Sequence, residues 1–389
     1  MWIRQLTLTN YRNYRRQEIT FGRGPSLLLG DNAQGKSNLL EAVFLLATTR
    51  AQRAQTDGEL ISWDALSEPQ PVARVTAEIE RDDGPLQLEV IVAGRQQGPD
   101  ATRPAASKRL RVNGVARRQI DMVGQLTAVL FSTEDLNLIG GPPAERRRYL
   151  DVTLSQLDTA YLRALQRYGK VISQRNALLR RIQEGEGKPD ELTFWDEELA
   201  RDGAVLVGRR AVAVAAQAEH AQEAHRRLSG GEELAIAYRP RLEGWDGPQA
   251  AAAEAEAIEA ALRDAFAAGR QRDIGAGITL SGPHRDDLTF TLDGVSAASF
   301  ASRGQLRTAA LSLRLAEARY LADQRGDLPV VLLDDVLSEL DESRRNAVLE
   351  SLGEWDQLLI TSTDAEHFGE GLPASLAVFR VASGRIEPA

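Results

Sequence analysis

The spacing of apolar side chains changes several times along this chain, and each change marks an element. Ile3, Leu6 and Leu8 partly alternate and predict a first strand. Leu27-Leu28-Leu29 is a short unbroken apolar run and predicts a buried strand. Directly after it, Leu39, Leu40, Val43, Phe44 and Ala47 fall on one helical face. Residues 72–80 and 86–92 predict an antiparallel pair around the turn Asp82-Asp83-Gly84-Pro85, and Val112-Asn113-Gly114-Val115 predicts a type I′ hairpin turn. Val129-Leu130-Phe131-Ser132-Thr133-Glu134-Asp135-Leu136 is followed by Gly140-Gly141-Pro142-Pro143, which punctuates the chain. Residues 144–229 then read almost wholly as helix. Leu150, Leu154, Leu157, Tyr161, Leu165 and Tyr168 recur at spacings of 4, 3, 4, 4 and 3, which predicts one amphipathic helix. Gly185–Pro189 breaks it, and a second helix is expected from about Leu192 to Arg227, making an antiparallel helical hairpin. Short strands follow at Leu234–Tyr238 and Leu288–Phe290, with an alanine-rich helix near 250–268 between them. Leu306, Ala310, Leu313 and Leu321 give another helix its apolar face. Val330–Leu333 and Leu358–Ile360 are buried strands. The class is α/β.

The turn between Leu29 and the next helix carries the sharpest chemical signal. Gly30-Asp31-Asn32-Ala33-Gln34-Gly35-Lys36-Ser37 matches the phosphate-binding loop, with a strand before it and a helix after it. Helix N-terminal amides and the dipole favour phosphate there, and the two glycines let the backbone curl around the anion. Lys36 is placed to reach the β- and γ-phosphates of ATP, and Ser37 to hold Mg²⁺. Far downstream, the Val330–Leu333 strand ends in Asp334-Asp335, which suits Mg²⁺ support by Asp334 and activation of water by Asp335. Adjacent strand residues would send these two carboxylates to opposite sides.

Composition narrows the partners. The chain has 389 residues, 43% of them apolar, enough for one large or two ordinary domains with a full core. It has no Cys, hence no disulfide framework or thiolate metal site. Met1-Trp2-Ile3-Arg4-Gln5 lacks a signal peptide's apolar core and no apolar run approaches a membrane span, so a soluble, cytoplasmic chain without membrane association is expected. The net charge of −9 offers nucleic acid no global attraction, so such binding must use local basic patches. There are two. Asn10–Arg16 mixes Arg12 and Arg15 with tyrosines, and is either a phosphate contact or a solvated hairpin. Ala101–Arg118 holds Arg103, Lys108, Arg109, Arg111, Arg117 and Arg118 with no acid among them. It reads as a phosphate-binding surface, or as an edge that uses charge against strand pairing. Arg53, just past the first helix, could reach a nucleotide, a partner or DNA, or could complement the helix dipole.

Ser302 and Gln305 have capping-box spacing, so Ser302–Arg307 is a capped helix start that could also face phosphate. His284 beside Asp286 and Asp287 is a poor metal set, because one His and two adjacent Asp do not converge.

In order, the phosphate loop, the Ser302-Arg303-Gly304-Gln305 helix, the strand ending in Asp334-Asp335 and Ser338-Glu339-Leu340-Asp341 resemble the ABC-type ATPase heads of SMC-like proteins. Within that group the chain is similar to the RecF family of bacterial recombinational repair proteins. The likeness runs nearly end to end. It includes Arg12-Asn13-Tyr14, Gly35–Ala42, Phe131 through Asp151, and Gly282-Pro283-His284-Arg285-Asp286-Asp287-Leu288.

The resemblance implies an ABC/SMC-type P-loop ATPase head, a mixed sheet with flanking helices, built from residues 1–140 and 273–389. A mainly helical domain, 141–272, is inserted. ATP and Mg²⁺ are the implied cofactors. Ser302, Gly304 and Gln305 would contact the nucleotide of a second copy, sandwiching two ATP molecules in a homodimer. Ser338–Asp341 would cross that interface. DNA, single-stranded or gapped duplex, is the implied ligand, with Arg12, Arg15, Lys108, Arg109, Arg111, Arg117 and Arg118 as candidate contacts. A RecR-like partner is implied, with a RecO-like protein as a further candidate. The implied role is recombinational repair and gap processing, supporting recombinase loading and SOS induction, with weak DNA-dependent ATP hydrolysis as a switch.

Some positions depart from the pattern. Arg303 and Gln305 flank a single glycine in the signature. Asp335 stands where a catalytic Glu is usual, one methylene shorter, so slow hydrolysis is expected. No His follows the next strand, where Thr361 and Thr363 stand. No Gln marks the segment at Thr133-Glu134-Asp135. Two other readings compete, the ATPase subunit of a transporter and a structural SMC-type protein. The long insert and basic run argue against the first, and the shortness of 144–229 as a coiled coil argues against the second.

Overall fold

Three sheets carry the β structure of the described residues, two six-stranded and one three-stranded. The computed structural model describes residues 1–94, 106–351, 355–364 and 376–389. These form two compact units, Met1–Thr133 with Glu317–Ala389, and Glu134–Ala316. Among the described residues no helix is long and apolar enough to cross a membrane.

In the first unit one sheet is antiparallel. Its order is Tyr14–Thr20, Trp2–Tyr11, Val72–Glu80, Leu86–Gly94, Ala106–Val112 and Val115–Arg117. The broken alternation of Ile3, Leu6 and Leu8 has a physical cause. The pairing with Val72–Glu80 shifts register between Ile3 and Gln5, and this irregularity lets Ile3 and Leu6 both face inward. Asn113 and Gly114 both have positive φ, 50° and 75°, as the expected type I′ turn requires.

The second sheet is parallel except at one edge. Its order is Arg385–Pro388, Ala377–Ala382, Gly24–Leu29, Gln357–Ser362, Val330–Asp334 and Ala128–Ser132. Asp334 pairs in register with Thr361 on one side and Ser132 on the other. The carboxyl ends of these strands therefore lie side by side, where open α/β sheets bind ligands. Gln357 is fully buried and ties the sheets together, accepting from the Ile3 N–H (2.8 Å) and donating to the Ile3 carbonyl (2.9 Å).

The helix Lys36–Thr48 packs against strands of both sheets. It is buried on nearly all sides rather than along the single face expected, because a helix between two sheets has no solvent side.

The second unit is helical around a small sheet. Its long helices are Pro143–Leu157, Thr159–Gln183, Leu192–Ser229 and Ala255–Ala276. The single helix expected through Leu150–Tyr168 is two. Asp158 adopts an extended backbone, and its carboxylate accepts from the N–H groups of Ala160 and Tyr161 (2.8 and 3.1 Å). Asp158 is thus an N-cap inside an unbroken apolar period. The sequence reading ended the inserted domain at 272, whereas this unit continues to Ala316. The strand Asp287–Leu292 accounts for the difference, because it pairs with Leu234–Arg239 and keeps the chain beyond 272 in the helical unit.

Candidate nucleotide site

The phosphate loop is shaped by what surrounds it. Gly35 has φ 121°, and a Cβ there would lie 2.6 Å from Asn13 Nδ2 and 2.8 Å from Tyr14 Oη. At Gly30 a Cβ would lie 2.1 Å from the Val381 carbonyl oxygen. Only glycine fits either place. Two turns prop the loop. The Tyr14 hydroxyl donates to the Gly35 carbonyl (2.8 Å), and the Asn13 amide to the Gln34 carbonyl (2.8 Å). From the other side, the N–H groups of Ser383 and Gly384 reach the Gln34 side-chain and main-chain oxygens at 2.7 and 3.0 Å.

Lys36 opens the helix with its ammonium inside the loop, donating to the carbonyls of Gly30 (2.6 Å) and Asp31 (2.8 Å). Burial pulls its pKa below the ordinary lysine value, and Asp335, Asp334 and Asp31 oppose that pull.

Asp334 is buried and holds three partners. Ser37 Oγ donates to its Oδ1 at 2.7 Å, Thr361 Oγ1 to the same oxygen at 3.1 Å, and Arg53 Nη2 to Oδ2 at 2.8 Å. Phosphate loop and strand end thus meet through one hydrogen bond across 297 positions of sequence. Hydroxyl and carboxylate oxygens are the hard donors Mg²⁺ prefers, so Ser37 and Asp334 fit that ion by donor type.

The opposite-facing rule for strand neighbours does not apply to the two aspartates, because the strand ends at Asp334 and Asp335 has φ 56°. Both carboxylates act on Lys36. The Asp335 N–H is held by Thr361 Oγ1 (2.9 Å), and its Oδ1 accepts from Ser338 Oγ (2.9 Å).

The other expected residues divide. Asp31, Asn32 and Ala33 lie in the loop, Ala33 at φ 64°. Ser302 and Gln305 form the capping box at the start of Arg303–Arg325. The Ser302 N–H donates to Gln305 Oε1 (2.9 Å), and the Gln305 N–H to Ser302 Oγ (3.2 Å). Gly304 lies between them, and the Gln305 amide also donates to Glu232 (2.5 Å). These three belong to the second unit and the phosphate loop to the first.

Of the basic candidates, Arg12 makes a two-pronged bond to Glu41 (2.8 and 2.9 Å). Burial works against its charge, but Glu41 outweighs this and holds the Arg12 pKa above its ordinary value. Lys108 pairs with Asp57 (2.6 Å), Arg111 with Glu89 (3.2 Å) and Arg118 with Asp121 (3.1 Å). Arg15, Arg109 and Arg117 are exposed and meet no carboxylate at ion-pair distance among the described residues. Arg103 lies outside the described residues.

Sequence reasoning missed the supports. Glu41 was visible as a lone acid within an apolar helix. The Ser383-Gly384 dipeptide marks a turn locally, but its contact with the phosphate loop exists only through the fold. His284 is engaged by Tyr168 Oη (2.9 Å) and the Thr279 carbonyl (3.0 Å).

A family model described as the RecF/RecN/SMC N terminal domain matches residues 2–387. The chain is 44% identical to the DNA replication and repair protein RecF of Chloroflexus aggregans, over 99% of both chains. It is 35% identical to that of Geobacillus kaustophilus, again over 99% of each. Among solved structures, the recombination mediator protein RecF with ATP in the RecFOR pathway superposes with a TM-score of 0.86 at 30% identity. That match covers 100% of this chain and 97% of the other. An Smc head bound to the C-terminal winged-helix domain of ScpA shares the fold, with a TM-score of 0.53 at 14% identity, over 100% and 98% of the two chains.

Proposed function

This chain belongs to the RecF/RecN/SMC N-terminal domain family, matching RecF over its full length, and from that premise we propose an ATP-dependent DNA-binding protein of recombinational repair and replication-gap processing. The observation that carries the nucleotide part is the Ser37–Asp334 hydrogen bond beside Lys36, which joins the phosphate loop to the acidic strand end. The loop amides and Lys36 bind the phosphates, and Ser37 and Asp334 hold Mg²⁺, which neutralises phosphate charge. Asp335, steadied by Ser338 and Thr361, orients water for slow, DNA-dependent hydrolysis. Ser302, Gly304 and Gln305 meet the nucleotide of a second copy, so ATP favours a homodimer. Relatives named for the RecFOR pathway support a RecR-like partner, a RecO-like protein and gapped DNA as the setting. A cytoplasmic location suits that role.

The test is Lys36→Ala in a titration with a fluorescent ATP analogue, followed by sedimentation with and without ATP and DNA. A lost charged contact is worth about 1.5–3 kcal/mol, so affinity should fall about ten- to a hundredfold. Unchanged nucleotide affinity and unchanged ATP-dependent assembly would sink the assignment.

A further inference from the structure

We propose that the helical unit carries its own phosphate site for a nucleic-acid strand, the cavity of about 770 Å³ walled by Arg239, Arg241, Arg272 and Arg285. It rests on the DNA-binding reading above and adds a contact surface to it. Three separate segments bring the arginines together. Arg239 ends the strand Leu234–Arg239 and Arg241 follows it. Arg272 lies on the helix Ala255–Ala276, and Arg285 closes the short turn Pro283–Arg285. All four are exposed. Arg285 is aimed by its bonds to the Thr279 carbonyl at 3.2 and 3.1 Å.

The charge of this cavity is unbalanced. Three acids also line it, but two are already engaged by other cations. Asp287 takes a two-pronged bond from Arg146 (2.6 and 3.0 Å). Asp273 accepts from Arg175 (2.7 Å) and from the Leu280 N–H (3.0 Å). Only Glu243 remains to set against four guanidinium groups. Among the described residues Arg239, Arg241 and Arg272 meet no carboxylate at ion-pair distance. Composition does not explain this, since the chain has 56 acids to 47 Lys and Arg. Some exposed arginines of the same unit are paired, Arg201 with Glu198 and Arg263 with Glu259, and others such as Arg163, Arg180 and Arg226 are exposed without a carboxylate at ion-pair distance among the described residues, but one cavity gathers these four. A small anionic ligand would be largely enclosed by its pocket. Four solvent-facing guanidinium groups on separate segments instead suit the successive phosphates of a strand, which bind by charge and release counterions.

The test is the double variant Arg241→Glu/Arg272→Glu, with Arg227→Glu/Arg263→Glu as a control of equal charge change. Binding of labelled single-stranded and duplex oligonucleotides is followed by anisotropy across salt concentrations, with and without Mg-ATP. The cavity variant should bind at least tenfold more weakly. Its log–log salt slope should shrink by about 1.4–1.8, at about 0.7–0.9 for each of the two lost phosphate contacts. The control should keep the wild-type slope. An unchanged slope in the cavity variant overturns the proposal, as does a wild type that binds no oligonucleotide. Calorimetry with inorganic pyrophosphate covers the remaining case. If the cavity variant loses pyrophosphate binding but keeps DNA binding, the site serves a small anion and the strand proposal is wrong. A milder Arg241→Gln/Arg272→Gln pair decides the matter if charge reversal impairs folding. Because the readout is oligonucleotide binding and not nucleotide affinity, failure here leaves the phosphate-loop reading to its own Lys36→Ala test.

Discussion

The Tyr14 hydroxyl is fully buried and donates to the carbonyl of Gly35, the residue just before the phosphate-contacting helix. Burial pushes its pKa up, so it stays a donor at every working pH. Tyr14→Phe keeps the ring and leaves that carbonyl only its helical partner, the Leu39 N–H (3.1 Å). Stability in urea should fall by about 0.5–1.5 kcal/mol, the net worth of one hydrogen bond. Affinity for an ATP analogue should fall with it, and an unchanged dissociation constant would mean that the loop keeps its shape without this bond. The loop itself was legible in sequence because phosphate binding demands glycine, lysine and hydroxyl at fixed short spacings. Tyr14 was read only as part of a basic aromatic turn, since its bond to residue 35 exists once two strands and a helix have assembled. The partners of the basic residues were hidden for a related reason. Charge is visible in a sequence, but the carboxylates that engage Arg12, Lys108 and Arg111 lie on neighbouring strands, helices and turns.

Elements were legible wherever one period held. The parallel core strands and the long helices fall close to where apolar spacing placed them. The misreadings lie where one residue overrides the period. Asp158 caps a new helix without disturbing the apolar spacing, and Asp335 turns out of its strand in a left-handed conformation. The Gly282–Asp287 turn shows what such a segment can do for a whole unit. Its Asp286 takes the fully buried Arg210 (3.1 Å) and the Tyr238 hydroxyl, while Asp151 takes Arg210 from the other side (2.8 Å). Burial works against the Arg210 charge, yet Asp151, Tyr161, Tyr238 and Asp286 outweigh it and hold its pKa well above ordinary. His284 in the same turn is different. Burial lowers its pKa from 6.5 to about 4, the Thr279 hydrogen bond opposes this, and Arg285, Arg147 and Arg175 add to the fall. Between those values the unfolded chain binds a proton that the folded chain does not. The His284 contribution is thus fully present above about pH 6.5 and is lost as pH falls toward 4. Urea midpoints of wild type and His284→Gln should therefore converge or cross as pH drops from 7 to 4.5. A constant gap would mean that His284 titrates normally in the fold.

At the scale of the whole molecule the question is whether ATP is fuel or fastener. Asp334 and Asp335 separate the two, because they hold different partners. Asp335→Asn keeps the oxygen that accepts from Ser338 and the N–H held by Thr361, but removes the charge able to take a proton from water. Hydrolysis should fall while ATP still binds. If the nucleotide held by Lys36 of one copy meets Ser302 of another, unhydrolysed ATP keeps the pair together. Linkage then requires the dimer population to rise, since a ligand favours the state that binds it better. Asp334→Asn should act oppositely. It weakens the junction with Ser37 and Arg53 and removes the carboxylate proposed to support Mg²⁺, so ATP should give little dimer. Light scattering of both variants with Mg-ATP reads the difference directly. Each should be compared with wild type at matched concentration, because association depends on it. If Asp335→Asn loses hydrolysis yet dimerises no better than wild type, ATP is not interfacial glue, and the capping box at Ser302 and Gln305 is only the start of a helix.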